Sequence, residues 1–251
     1  MNFLQKTPVT RIKLNKEKRG RRNRLVLVSA ISSSCVFVDL VNFFHDLIGE
    51  VLLSSYYLSD VWKTMRVRDS DLPIEEEWAK FFNPNRTLKL LGLDCRIKDA
   101  ADFGCGYGTF TIPAAQIISG KIYALDIEPE MVRTVERKAK ELSLNNVVAI
   151  LRDFMSEGSG LKDSSVDFVF LFNILHAETP VVLLKEAYRI LKPGGKAGII
   201  HWRYDETIRD GPSMDIRPKP EQCRQWAESV GFHFKKQFDL KPYHYAIIME
   251  K

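Results

Sequence analysis

The 251-residue chain has only four cysteines, Cys35, Cys95, Cys105 and Cys223, and no two form a C-x-x-C pair. Scattered thiols of this kind exclude a disulfide framework or a cysteine-rich zinc site and suit a reducing compartment. A long apolar run is also missing. The longest, Leu25 to Val38, is 14 residues and stops at Asp39, whereas crossing a bilayer takes about 20 residues. The basic lead-in from Lys16 to Arg24 gives this stretch the outline of a signal peptide, with too little length for a span. Charge of one sign is absent from most of the chain. Residues 65–251 hold 27 Lys/Arg and 27 Asp/Glu, and the net +5 resides in residues 1–64, with ten against five. A neutral body offers no electrostatic footprint for duplex nucleic acid. No internal repeat is present.

What is there divides near Met65. Ahead of it, Phe43, Phe44, Leu47, Ile48, Val51 and Leu52 fall at helical spacing, with Asp46 and Glu50 off the stripe. An acidic polar face suits packing better than anionic lipid. Because Met65 opens a segment that reads as a complete domain, residues 1–64 are expected to be an extension arising from a mis-assigned start. Any membrane association would run through residues 11–58.

After Met65 strands and helices alternate. Helices are predicted over Ile74–Phe82, Thr109–Ser119, Glu128–Leu142, Val181–Leu191 and Pro220–Val230, the last with Pro at its start and Gly231 past its end. Strands are predicted over Lys98–Phe103, Lys121–Leu125, Val147–Leu151, Val166–Phe172, Lys196–His201, Phe234–Asp239 and Tyr243–Met249. Val-Asp-Phe-Val-Phe-Leu-Phe at 166–172 has the near-continuous apolarity of a strand buried on both faces. The pattern implies an α/β, doubly wound, Rossmann-like sheet, mostly parallel with an antiparallel strand near the C-terminus.

In such a sheet ligands sit beyond the carboxyl ends of the strands. The best-marked end is Asp102-Phe103-Gly104-Cys105-Gly106-Tyr107-Gly108-Thr109. Its glycines let the backbone turn tightly and approach a ligand, and N–H groups at the following helix start face that ligand. The spacing is G-x-G-x-G rather than the dinucleotide G-x-G-x-x-G, and no Lys-Ser/Thr follows as a phosphate loop requires. A carboxylate at Asp102 would repel a pyrophosphate but suits a ligand carrying an ammonium and a sulfonium. The alternative is a structural turn whose aspartate caps the next helix.

These residues resemble the class I S-adenosylmethionine-dependent methyltransferases, with a type 11/25-like domain, from about Met65 to Lys251. The resemblance implies that Asp102, Gly104, Cys105, Gly106 and Gly108 hold the methionine moiety of the cofactor. It implies that Asp126, followed by Ile127 and 22 residues beyond Gly104, accepts from the ribose hydroxyls. Asp153 and Phe154 would flank the adenine, and Asn173 through His176 would close the fourth strand near the transferred methyl. Leu184 through Gly195 matches the family's helix-and-turn signature, with a structural role.

On the acceptor side the candidates are His176 and His201 as general bases, each with a structural hydrogen-bonding role as its alternative. Tyr107, Trp202 and Arg203 are candidates for substrate contact, Arg203 alternatively pairing with Asp205. The turn-rich stretch Asp210–Pro218 is expected to serve as a lid, and Arg66–Asp69 to close from the other side. No metal is implied. The chain has neither the Pro-Pro-aromatic motif of amino-group DNA methyltransferases nor a Pro-Cys nucleophile, so a small-molecule acceptor is expected. The cytoplasm is the expected location, with membrane association if residues 1–64 are real. Two further readings are an NAD-type oxidoreductase on a similar sheet and a non-catalytic module that binds S-adenosylmethionine.

Overall fold

The computed structural model describes residues 75–251. The apolar stretch, the amphipathic stripe, the boundary at Met65 and the segment Arg66–Asp69 lie outside the described residues. In order come α1 (Glu75–Ala79), α2 (Pro84–Leu90), β1 (Ala100–Phe103), α3 (Thr111–Ile117), β2 (Ile122–Asp126), α4 (Pro129–Glu141) and β3 (Val147–Leu151). Then follow α5 (Phe154–Glu157), β4 (Val166–Phe172), α6 (Pro180–Ile190), β5 (Leu191–Trp202), α7 (Pro220–Ser229), β6 (His233–Leu240) and β7 (His244–Glu250). The seven strands form one sheet in the order β3-β2-β1-β4-β5-β7-β6. The neighbours from β3 through β5 are parallel, and β7 runs antiparallel to both β5 and β6. The chain reverses its winding between β1 and β4, so the crevice at their carboxyl ends is the topological switch point.

Alternation along the strands sends side chains into two cores. On one face Ala101, Phe103, Val169, Leu171, Ile199 and Tyr245 pack under α6 and α7. On the other, Ala100, Phe168, Phe170, Phe172, Ile200 and Ala246 pack under α2 and α3. β4 is buried from both sides, as its apolar run predicts. Phe170 and Phe172 stack with ring centroids 5.0 Å apart, and Phe172 meets Phe110 edge-on at 4.7 Å.

The helix-and-turn signature acts as a fastener. Glu186 on α6 accepts from the Ser159 N–H at 2.6 Å and pairs with Arg189 at 2.6 Å. Arg189 donates to the Leu161 carbonyl and pairs with Asp163. Lys192 pairs with Asp167 at the start of β4 at 2.8 Å. Together these tie the β3–β4 connection to α6. Arg189 holds the Glu186 carboxyl down to about 2, so the fastener stays ionised throughout the neutral range.

Three local expectations change. The first helix ends at Ala79, and a second begins at Pro84, where the Asn83 side chain accepts from the Arg86 N–H and proline occupies the first turn. A one-turn helix, α5, follows Asp153. β5 begins at Leu191, pairing with Val166, so Pro193-Gly194-Gly195 lies within a bulged strand rather than ahead of one. Among the described residues no helix is long and apolar enough to cross a membrane.

Candidate functional site

The loop after β1 is shaped by backbone bonds to β2. The N–H groups of Gly104 and Cys105 both donate to the Leu125 carbonyl, at 2.8 and 3.0 Å. Gly106 N–H donates to Asp126 Oδ2 at 2.8 Å, and Gly108 N–H donates to the Cys105 carbonyl at 2.9 Å. Gly104, Gly106 and Gly108 have φ of 73°, 52° and 76°, left-handed values that disfavour any side chain. At Gly104 a Cβ would also stand 2.8 Å from Ile174 Cδ1, so the loop leaving β4 is packed against the glycine loop. Gly104→Ala is therefore expected to cost about 2 kcal/mol, largely from backbone strain. Ile174→Val removes the crowding methyl, so the double variant should be more stable than the single losses sum to in urea denaturation. Strict additivity would contradict the contact.

Two buried carboxylates flank this loop. Asp102, 3% exposed, takes a hydrogen bond from Thr111 Oγ1 at 2.6 Å. Burial pushes its carboxyl up to about 7, the Thr111 bond opposing and the nearby Asp126 adding to the rise. Asp126 closes β2, its two oxygens accepting from Gly106 N–H and Glu128 N–H, the latter at 2.9 Å. Burial raises its pKa too, and those N–H groups hold it back. Half-buried Ile127 follows. Cys105 is buried, and its thiol pKa is raised by burial and by both aspartates, so it is no nucleophile. Tyr107 is half-buried; its carbonyl accepts from Lys138, which also pairs with Glu75 of α1.

At the β3 exit Asp153 caps α5, accepting from the Met155 and Ser156 N–H groups and the Ser156 hydroxyl. Phe154, 4% exposed, turns into the core and stacks on Phe103 at 5.2 Å. Asn173 leaves β4 with φ of 51°, and both atoms of its side-chain amide are buried without a hydrogen-bond partner. His176 Nδ1 lies 3.3 Å from His201 Nε2, so the two candidate bases stand together. His201 is 0% exposed, and burial, then His176 and His244, hold its pKa well below the usual value. It is therefore neutral.

Farther along, Trp202 is 2% exposed. A Cβ on Gly211 would stand 2.5 Å from its Cδ2, so the stretch beginning at Asp210 lies directly on the indole. Arg203 is half-buried, and its N–H donates to the Tyr243 carbonyl. Asp205 accepts from the Thr207 N–H and hydroxyl. Arg203, Arg209 and Lys241 join Asp205 and Asp210 around an open cleft of about 620 Å³. Three residues escaped the sequence reading: Thr111, which bonds Asp102; Arg217, which organises the 203–217 loop; and His244, buried beside Trp202. Only Thr111 carried a signal, a hydroxyl at the first turn after the glycines.

A glycine loop between two strand-end carboxylates, on a 3-2-1-4-5-7-6 sheet with β7 reversed, defines the Rossmann-like fold of S-adenosylmethionine-dependent methyltransferases. Residues 101–199 match the family described as a methyltransferase domain, and that match lies on the strands and loops that form the site. A demethylmenaquinone methyltransferase of Geobacillus sp. (strain WCH70) is 36% identical over 102 residues, 39% of this chain and 43% of that protein. A sterol 24-C-methyltransferase of Candida albicans is 27% identical over 206 residues, 74% of this chain and 51% of that protein. The chain thus spans about half the length of these relatives or less. A crystal structure of an S-adenosylmethionine-dependent methyltransferase from Aquifex aeolicus superimposes with a TM-score of 0.63 at 24% identity, covering 75% of this chain and 97% of that one.

Proposed function

We propose that the protein transfers a methyl group from S-adenosylmethionine to a small-molecule acceptor. The observation carrying this reading is the pair of buried carboxylates, Asp102 and Asp126, around a glycine loop with no Lys or Arg between residues 102 and 111. That donor set fits a cationic ligand with hydroxyl groups and opposes a pyrophosphate. The orphaned amide of Asn173, just past the end of the strand next to β1, is a further polar group that a ligand would satisfy. The relatives' names, one for demethylmenaquinone and one for a sterol, support a small molecule as the acceptor.

When bound, the cofactor supplies an electrophilic methyl on sulfur. Asp102 would hold the ammonium end, and Asp126 would accept from the ribose hydroxyls with the lone pairs its two backbone donors leave over. Asp153 sits at the β3 exit to receive the adenine amine, and the buried ring of Phe154 supports that turn from beneath. Aligning the acceptor with the carbon–sulfur bond can supply about 7–11 kcal/mol. Where the acceptor must lose a proton, His176 takes it and contributes about 10²–10⁴-fold. His201 lacks any exposed surface; it positions His176 through the Nδ1–Nε2 contact.

Calorimetric titration with S-adenosylmethionine and with NAD tests the reading. Heat from the first alone is expected, and transfer of a labelled methyl into a component of a metabolite extract should follow. Uptake of NAD in place of S-adenosylmethionine would instead favour an oxidoreductase, and binding with no transfer to any extract would favour a non-catalytic module.

A further inference from the structure

His244 is the first residue of β7 and pairs with Trp202, the last of β5. It therefore sits at the same end of the sheet as the glycine loop. It is 0% exposed, and neither ring nitrogen has a hydrogen-bond partner. Its neighbours are rings: Trp202 at 4.3 Å and Phe82 at 4.4 Å, with Phe81 at 6.5 Å. Phe82 also packs on Phe110 at 5.1 Å, and Phe110 on Phe172, the last residue of β4. One aromatic box thus runs from the helix start beside the glycine loop to the ends of β4 and β5. Phe81 and Phe82, two half-buried residues between the short helices α1 and α2, roof it.

An imidazole with both nitrogens dry and unpaired is unfavourable in an empty protein, and phenylalanine would fill the same space without that cost. Burial, helped by the positive Arg217, holds the ring neutral, so one nitrogen donates and the other accepts. We propose that Phe81 and Phe82 stand where the acceptor's ring system binds, and that His244 is the residue that recognises a hydroxyl or carbonyl on it. The acceptor class is then an apolar ring compound bearing such an oxygen, seated between Trp202 and Phe110. Calling the ligand a methyl acceptor rests on the methyl-transfer reading; the pocket does not.

The test uses the full chain, with 2-naphthol and naphthalene as probes followed by ligand-observed NMR, and S-adenosylmethionine titrated separately. Wild-type protein is expected to bind 2-naphthol about tenfold more tightly than naphthalene. His244→Phe should bring the two within about twofold and leave affinity for S-adenosylmethionine unchanged, whereas His244→Gln, which keeps a donor and an acceptor, should retain the preference. Phe82→Ala should tighten binding of both probes about tenfold. Equal binding of the probes to wild type, or a preference that survives in His244→Phe, would overturn the assignment of His244. Unimproved binding in Phe82→Ala would overturn the roof. If naphthol is discriminated but S-adenosylmethionine does not bind, the pocket stands and the methyl-transfer reading falls. If S-adenosylmethionine binds without discrimination, the pocket falls alone.

Discussion

Exchanging Asp102 for asparagine is expected to weaken S-adenosylmethionine binding about 100-fold and, at the same time, to stabilise the empty protein. Removing one partner of a buried charge pair costs about 2–5 kcal/mol, and 100-fold corresponds to about 2.7 kcal/mol. The opposite effect on stability comes from the same burial. The Asp102 carboxyl titrates at about 7 in the folded protein against 3.8 as its ordinary value. The fold therefore retains a proton that the unfolded chain gives up. The penalty is absent below pH 3.8, grows as pH rises toward 7 and is fully present above 7. Asparagine accepts from Thr111 equally well without a charge, so its stability gain should appear only above the acid range. Binding runs the other way. A cationic ligand needs the carboxylate, so wild-type affinity should fall about tenfold per pH unit below 7 and level off above it. Calorimetry in buffers of different ionisation enthalpy should show proton release on binding at pH 6, and none in Asp102→Asn. Binding that is flat in pH and indifferent to the substitution would remove Asp102 from the site.

Legibility in the sequence followed locality. The bounds of β3 come directly from an unbroken apolar run and those of β4 from one interrupted only by Asp167, and the reversal of β7 from two closing strands with no helix between them. The short helix α2 was hidden because its seven residues carry no apolar stripe; proline and an asparagine cap create it. Asp102 and Asp126 are legible as candidates because Asp126 ends β2 and Asp102 lies one residue from the end of β1, each beside a recognisable turn. Thr111 bonds a partner nine residues earlier, within reach of the same motif. The surroundings of His244 come from residues more than 160 positions earlier, Phe81 and Phe82, and no periodicity announces such a meeting. Phe154 shows the converse. A residue next to a motif position packs by the alternation of the fold around it, and here that turns its ring onto Phe103.

Arg217→Met should cost about 3 kcal/mol, concentrated in the loop from Arg203 to Pro218. Arg217 is a buried guanidinium that spends its donors on carbonyls of this loop. Nε and Nη2 donate to Pro212 at 3.1 and 2.8 Å, Nη2 also to Asp210 at 2.7 Å, and Nη1 to Arg203 at 3.1 Å. Its charge centre lies 5.9 Å over the Trp202 ring. Burial lowers its pKa from the ordinary arginine value, yet a guanidinium remains charged at any physiological pH. Methionine of similar length fills the space and strands those carbonyls, so the loop opens toward water while the sheet keeps its packing. Hydrogen exchange across residues 203–217 should accelerate, with β4 and β5 protected as in wild type. Arg217→Lys keeps the charge but not the planar fork, and should fall between. Gly211→Ala reaches the same end from the other side. At φ of 85°, with Trp202 Cδ2 at 2.5 Å from the added carbon, the loop cannot stay seated on the indole. If this loop covers the acceptor side, both variants should retain S-adenosylmethionine affinity and lose methyl transfer. Unchanged exchange in Arg217→Met would show that the carbonyls are held by something other than the guanidinium, and loss of cofactor binding would place the loop on the wrong side of the site.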